Sequence, residues 1–408
     1  MTSLKTSHLS TELIHHGYQP PGDFQAPQPG VHKASTIFFP NVAAMRQRDW
    51  KDKSGYTYGT HGTPTTFILE ERLCSLEGGK HCVLTPSGLT ALAVASFAIL
   101  KQGDHVLLPE NAYGPHQALA EHELQNFGIS HTYYDAMNLL DLETKIQNNT
   151  KLVWMEVPGS VSMEFPNLVA LVQLCQSRKI LTALDNTWGA GIAFKPFDLL
   201  GDGQLAVDFT AHALTKYPSG GGDVLMGSVM THDDHLGMKL KLSHMRLGIC
   251  VGANDVETIL RSLPTISMRY QAQDEAGRAL AAWWQLQKAC VQVMHPALSA
   301  SPGHENWQSL CNSGGGSGHA AGLFSVMLSP ALSSSQVDAF CDGLKLFRIG
   351  FSWGGPISLV VPYEMSSLRR DWPSGLARGH LVRFSLGFES VADLKADLAQ
   401  SLERHLNF

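Results

Sequence analysis

Charge, paired cysteines and long apolar runs are all scarce in this chain of 408 residues, and each scarcity closes a class of function. Only 16% of the residues are charged and the formal net charge is −6, so no basic field is present to hold a nucleic acid or an anionic membrane. The cysteines (Cys74, Cys82, Cys175, Cys250, Cys290, Cys311 and Cys341) are odd in number and scattered. None forms a C-x-x-C pair, which argues against a disulfide framework and a zinc knuckle. Cys82 and Cys250 sit in apolar runs and read as inert core thiols. The longest apolar stretch, Ala91 to Leu100, is about half a membrane span. Met1 to His8 lack the charged and apolar blocks of a signal peptide, so a cytoplasmic protein is expected. Histidine is plentiful, yet no H-E-x-x-H or comparable cluster occurs, and His15-His16 reads as surface; no metal is expected. No G-x-x-x-x-G-K-[ST], no G-x-G-x-x-G after a strand and no nucleophile elbow at a strand–helix junction is found.

What is present is a long α/β pattern. A chain of this length exceeds one small core, so two domains are the expectation. Residues 1–50 are poor in periodic structure, and residues 1–62 form an expected arm, free in a single chain or clasping a neighbour in an oligomer. From 63 the pattern alternates. Strands are predicted at His81–Thr85, Asp104–Leu108, Ile129–Tyr134, Lys151–Val157, Ile180–Asp185, Val207–Thr215 and Val224–Thr231. Helices are predicted between them, among them Ser87–Lys101 and Pro115–Asn126. Such alternation predicts a mostly parallel sheet wrapped by helices over 63–262. The pattern changes after Leu263. A long helix carrying Trp283 and Trp284 leads to a Gly-rich loop, Ser313–Gly318, read as mobile. Strands near Gly322–Leu328 and Leu381–Gly387 and a closing amphipathic helix, Val391–Leu406, make 263–408 an α+β domain.

Two residues in the first part have complementary chemistry. Lys216 closes the run Asp208-Phe-Thr-Ala-His-Ala-Leu-Thr215-Lys216, and Asp185 closes Leu-Thr-Ala-Leu-Asp185. A buried lysine loses its proton more easily and becomes a nucleophilic amine. A carboxylate at the end of a buried strand needs a cation or hydrogen bonds. Together they suit the two ends of pyridoxal phosphate, the amine for its aldehyde carbon and the acid for its ring nitrogen. Alone, Lys216 reads equally as an exposed residue opening the Pro218–Gly222 loop, and Asp185 as a helix cap. Thr85-Pro-Ser87-Gly88-Leu89 lies between a strand and a helix, where free N–H groups suit a phosphate and where plain capping is as good a reading. Tyr113, between a strand and a helix, could stack on a ring or pack at a seam. Arg383 interrupts an apolar strand and suits either a substrate carboxylate or a structural salt bridge.

The chain resembles the Cys/Met-metabolism PLP-dependent enzymes of fold type I, and within them most of all the bacterial cystathionine β-lyases. The likeness runs along nearly the whole sequence. It includes Tyr56-Thr-Tyr58-Gly, Leu76-Glu-Gly-Gly79, Gln102-Gly-Asp-His-Val106, Glu156-Val-Pro-Gly-Ser160, Asp185-Asn-Thr187-Trp188, Thr215-Lys216-Tyr217, His295-Pro-Ala-Leu298, Ser352-Trp353-Gly-Gly355 and Arg383. Pro-Gly-Ser160 and Phe-Ser352-Trp353-Gly-Gly look like the β-lyase pattern. His116 stands near where methionine γ-lyases place a cysteine.

The resemblance implies a large, mostly parallel seven-stranded sheet domain, a smaller C-terminal α+β domain and an N-terminal arm. Lys216 would be the Schiff-base lysine and proton shuttle, Asp185 the partner of the pyridine nitrogen, and Tyr113 a catalytic residue stacked on the ring that assists transaldimination. Gly88, Leu89 and Thr215 would hold the phosphate, with Tyr58 reaching it from a neighbouring subunit; Ser160 and Thr187 complete the implied cofactor set. Ser352, Trp353 and Arg383 would orient a substrate α-carboxylate. The implied reaction is α,β-elimination of cystathionine in a cytoplasmic homotetramer. A related carbon–sulfur lyase (cystathionine γ-lyase, methionine γ-lyase or cysteine desulfhydrase) and a non-catalytic PLP-binding regulator are the alternatives. Three departures from the family pattern stand out. Thr60 replaces a phosphate-binding arginine, with His61 as its expected substitute; Gly220-Gly221-Gly222 replaces Gly-His-Ser; and Glu257 replaces a tyrosine.

Overall fold

The computed structural model describes residues 26–314 and 316–406. Most of the first half of the expected arm, with His15 and His16, lies outside the described residues, as does Gly315 of the glycine-rich loop. Contacts divide the chain into residues 1–30 and 31–408. The described part of the first unit, 26–30, is irregular.

The second unit is organised by two sheets. The larger holds β1 (His81–Thr85), β2 (His105–Pro109), β3 (Ser130–Tyr134), β4 (Thr150–Glu156), β5 (Leu181–Asp185), β6 (Phe209–His212) and β7 (Gly227–Thr231), in the order β1-β7-β6-β5-β4-β2-β3. β3, β2, β4, β5 and β6 run parallel, while β7 is antiparallel to both neighbours. All five residues of β2 are buried, as expected for a parallel strand covered on both faces. Removing Leu107 and Leu108 from water contributes roughly 2 kcal/mol each. The chain winds from β2 to β3, then returns past β2 to β4. The strand order therefore reverses between β2 and β4, and such reversals open a crevice at the carboxyl ends of the strands.

The smaller sheet holds β8 (Cys290–Met294), β9 (Leu323–Leu328), β10 (Arg348–Ile349), β11 (Leu359–Tyr363) and β12 (His380–Ser385), in the order β10-β11-β12-β9-β8. Only β10 and β11 pair in parallel. One core of apolar side chains joins the helix Pro64–Glu77, β4 and β5 to residues of β8, β9 and β12, while a second fills the space between the small sheet and the helices Ile266–Trp284 and Val391–His405.

Four sequence expectations need correction. The strand expected through Thr215 stops at His212, because the backbone turns there: Lys216 N–H donates to Ala213 O at 3.0 Å and Thr215 N–H to Met226 O at 3.2 Å. Lys216 therefore stands in a turn. The strand expected from Val224 begins only at Gly227. The helix expected over Pro115–Asn126 starts at Gly114 and passes into a π-helical stretch over Leu119–Leu124. Cys82 is buried but Cys250 is exposed, in the irregular segment after the helix Asp234–Arg246. Among the described residues no helix is long and apolar enough to cross a membrane.

Candidate active site

The carboxyl ends of the large sheet gather most of the expected residues. Lys216 is partly buried and its Nζ donates to Ser352 Oγ at 2.7 Å. The same nitrogen lies 5.4 Å from the centre of the Trp353 ring. Burial, followed by the nearby Arg383 charge, pushes the ammonium down to about 8, against a smaller opposing pull from Asp185. A free amine is thus accessible near neutral pH, as a nucleophile or proton acceptor requires.

Asp185 ends β5. Its Oδ1 accepts from Thr187 N–H at 3.0 Å and from the Thr187 hydroxyl at 2.5 Å. The Thr187 hydroxyl oxygen also accepts from Ala213 N–H at 2.9 Å, so this threonine ties the carboxylate to the end of β6. Burial raises the Asp185 carboxyl, while the Thr187 bonds, His212 and Lys216 pull it down. Among the described residues Asp185 has no ion-pair partner, which leaves it a carboxylate suited to a cation that is not a side chain.

Ser87 caps the helix Gly88–Ile99, accepting from Thr90 N–H at 3.1 Å. A Cβ on Gly88 would lie 2.6 Å from Ala213 Cβ, so only glycine lets the helix start approach the strand end this closely. Leu89 follows it, partly exposed. The Thr215 hydroxyl accepts from Met226 N–H at 3.1 Å and thereby shapes the turn before Lys216. Tyr113 is 42% exposed, and its backbone N–H donates to Glu156 Oε2 at 2.7 Å. Burial, and then the Asp185 charge, raise its phenol.

From the small sheet comes Arg383, which is 6% exposed in the middle of β12. Its Nη1 donates to Ser160 O at 3.2 Å, and its guanidinium lies 5.3 Å from the Tyr363 ring centre. Among the described residues it forms no ion pair, so the salt-bridge reading does not hold and a carboxylate partner is missing. Ser352 is held at a φ of 125°, an uncommon conformation for a residue with a side chain. Trp353 packs edge-on against Tyr217 at 5.4 Å. Gly354 follows, where a Cβ would lie 2.9 Å from Tyr217 N.

Tyr58 is not brought to this cluster. It is 47% exposed and faces His61, with ring centres 6.2 Å apart. His61 bonds through Nδ1 to the Thr57 hydroxyl at 2.8 Å, and burial with the Lys241 and Arg48 charges lowers its pKa. It lines a separate cavity of about 320 Å³ together with Lys53, Glu70, Lys241 and His244. A neutral imidazole there is a weak substitute for an arginine. Glu257 pairs with Arg261.

Sequence reasoning assigned no role to Glu156, Tyr363 or Arg369. Glu156 carries the same signal as Asp185, a carboxylate ending an apolar strand. Arg369 forms a buried pair with Glu164 at 2.6 Å and bonds the Ser162 hydroxyl at 2.8 Å, which braces the loop carrying Ser160.

The residues fit pyridoxal phosphate: an amine poised near neutrality, an unpaired carboxylate, and a glycine-floored helix start at one sheet edge. Comparison with known proteins agrees. Residues 10–403 match the family model described as Cys/Met metabolism PLP-dependent enzyme. The cystathionine beta-lyase of Bordetella avium is 34% identical, over 99% of this chain and 100% of its own length. The L-alanine/L-glutamate racemase of Wolbachia pipientis wMel is 32% identical over 92% of each. A crystal structure of cystathionine gamma synthase from Xanthomonas oryzae pv. oryzae, in complex with aminoacrylate and cysteine, superposes with a TM-score of 0.82 at 26% identity, over 95% of both chains. This chain belongs to the Cys/Met-metabolism family of PLP-dependent enzymes.

Proposed function

We propose that this enzyme is a cystathionine β-lyase, cleaving L-cystathionine to homocysteine, pyruvate and ammonia. The observation that carries the reading is the meeting of Lys216 Nζ with Ser352 Oγ at 2.7 Å, beside Trp353 and within the field of Arg383. That arrangement puts one proton carrier next to a carboxylate-binding arginine. Family membership and β-lyase relatives support the choice among carbon–sulfur lyases.

When bound, PLP supplies an electron sink that makes the substrate Cα–H acidic. The rest falls to the chain. Asp185 would keep the pyridine nitrogen protonated. The helix start at Gly88 and Leu89, with the turn at Thr215, would hold the phosphate. Tyr113 would stack on the ring, and Ser160 and Thr187 would complete the set of residues that hold it. Arg383 grips the substrate α-carboxylate, held from behind by the Ser160 carbonyl and the Tyr363 ring, with Ser352 and Trp353 closing that side. The free Lys216 amine takes the Cα proton and delivers a proton to the departing sulfur. One group serves both atoms because Cα and the Cβ–S bond are adjacent.

The assembly we infer is a homotetramer in the cytoplasm. It has an arm at 1–62, a cofactor domain at 63–262 and a C-terminal domain at 263–408, with Tyr58 of the arm reaching a neighbouring subunit's phosphate. A substrate panel on the purified enzyme tests the activity. Pyruvate from cystathionine is expected; 2-oxobutyrate would indicate γ-elimination. Inversion of L-alanine without keto-acid release would overturn the lyase reading in favour of a racemase.

A further inference from the structure

The reversal of strand order between β2 and β4 is bridged by Tyr113 N–H donating to Glu156 Oε2 at 2.7 Å, next to a bond from Ser160 N–H to Asn111 O at 2.9 Å. Glu156 is also the register partner of Asp185 across the parallel pair β4–β5. Paired residues on parallel strands project to the same face, and neighbouring strands lie about 5 Å apart. Two carboxyl groups therefore share one side of the sheet edge. Neither forms an ion pair among the described residues.

Among the described residues no cation forms an ion pair with either carboxyl. Arg369 pairs with Glu164 and bonds Ser162, and Arg383 donates to the Ser160 carbonyl and lies over the Tyr363 ring. Lys216 donates to Ser352, and His212 bonds to Glu77 at 2.7 Å. Two like charges this close in a half-buried place are not both sustained without such partners. Asp185 accepts two hydrogen bonds on one oxygen from Thr187, which favour its anion; Glu156 accepts one backbone N–H, with the Ser160 hydroxyl as a second, weaker support.

We propose that Glu156 is a positioning residue that keeps its carboxyl proton. The sheet edge then carries a single negative charge, on Asp185, while Glu156 fixes the backbone of Tyr113 as a neutral acceptor. Burial and then the Asp185 charge push the Glu156 carboxyl well above the usual range, in line with that assignment. The inference rests on the PLP-enzyme reading for its purpose, to give the pyridine nitrogen one anion to pair with. It does not rest on that reading for its chemistry.

The test compares full-length holoenzymes carrying Glu156→Gln and Asp185→Asn with the wild type. Infrared spectra near neutral pH should show a protonated-carboxyl band in the wild type that is lost in Glu156→Gln. PLP affinity should stay within about threefold in Glu156→Gln, which replaces one neutral acceptor by another. In Asp185→Asn it should weaken about 30-fold or more, as removal of a buried charge partner does. Removing the repelling charge should also move the loss of the band to lower pH in Asp185→Asn, a readout that stands even if Glu156→Gln does not fold. A spectrum unchanged by Glu156→Gln, or a PLP loss in it equal to that of Asp185→Asn, overturns the proposal. A wild type that binds no PLP would sink the functional reading instead, and the carboxyl band would still decide the state of Glu156.

Discussion

The two sheets serve the site in opposite ways. The large sheet offers strand ends: Asp185, Glu156, and the turns carrying Tyr113 and Lys216 all lie where parallel strands stop. The small sheet offers a strand interior, Arg383, and a strained loop, Ser352 to Gly355. A strand end can change without disturbing the ladder. A charged residue in a strand interior is part of the packing, so its loss is felt in folding as well as in binding.

Substitutions can break that contrast, beginning with the largest effect. Lys216→Ala should lower kcat about a thousandfold or more while leaving the melting temperature within a few degrees, because the residue sits in a turn. A large drop in melting temperature would show that strand-end residues also carry stability. Arg383→Ala should raise KM and destabilise by about 2 kcal/mol or more, since it abandons the Ser160 carbonyl in a buried place. If denaturant unfolding of Arg383→Ala matched the wild type, the distinction between the sheets would fail.

Gly88→Ala sharpens the same point at the helix start. The added methyl must move Ala213, at a cost of about 1–3 kcal/mol, and should weaken PLP binding roughly tenfold by equilibrium dialysis. An unchanged affinity would mean that the close approach of helix and strand is not what holds the phosphate. The smallest effect concerns pH. The amine of Lys216 is lowered to about 8, so it is mostly charged below that value and free above it. The rate at which the cofactor-free protein captures PLP should rise with pH through about 8 and level off roughly one unit above it. Capture that slows over that range would contradict the lowered amine.

The contrast also explains what the sequence reveals. β2, β4 and β5 of the large sheet are mostly apolar runs bounded by turns, and such runs identify themselves; hence Asp185 can be located from its own segment. The small sheet shows β9 and β12 in the sequence and hides its other three strands. β10 is two residues long, β11 contains Pro362, which argues against a strand, and β8 alternates over only five residues. The antiparallel placing of β7 likewise cannot be read from an alternating pattern. Arg383 was visible as a charge inside an apolar strand, but its support by Ser160 and Tyr363 depends on contacts between distant segments. The pairing of Glu156 with Asp185 is a property of register, and register appears only when the sheet is assembled.

The contact of Gly354 with the backbone of Lys216 and Tyr217 has a mechanical meaning. The turn holding the proton carrier and the loop that faces the substrate press against each other main chain to main chain, with no side chain between them to act as a cushion. A displacement of a few tenths of an ångström in one loop must be taken up by the other. With Ser352 and Lys216 in the roles proposed above, a movement of residues 352–355 would reach the lysine through backbone alone.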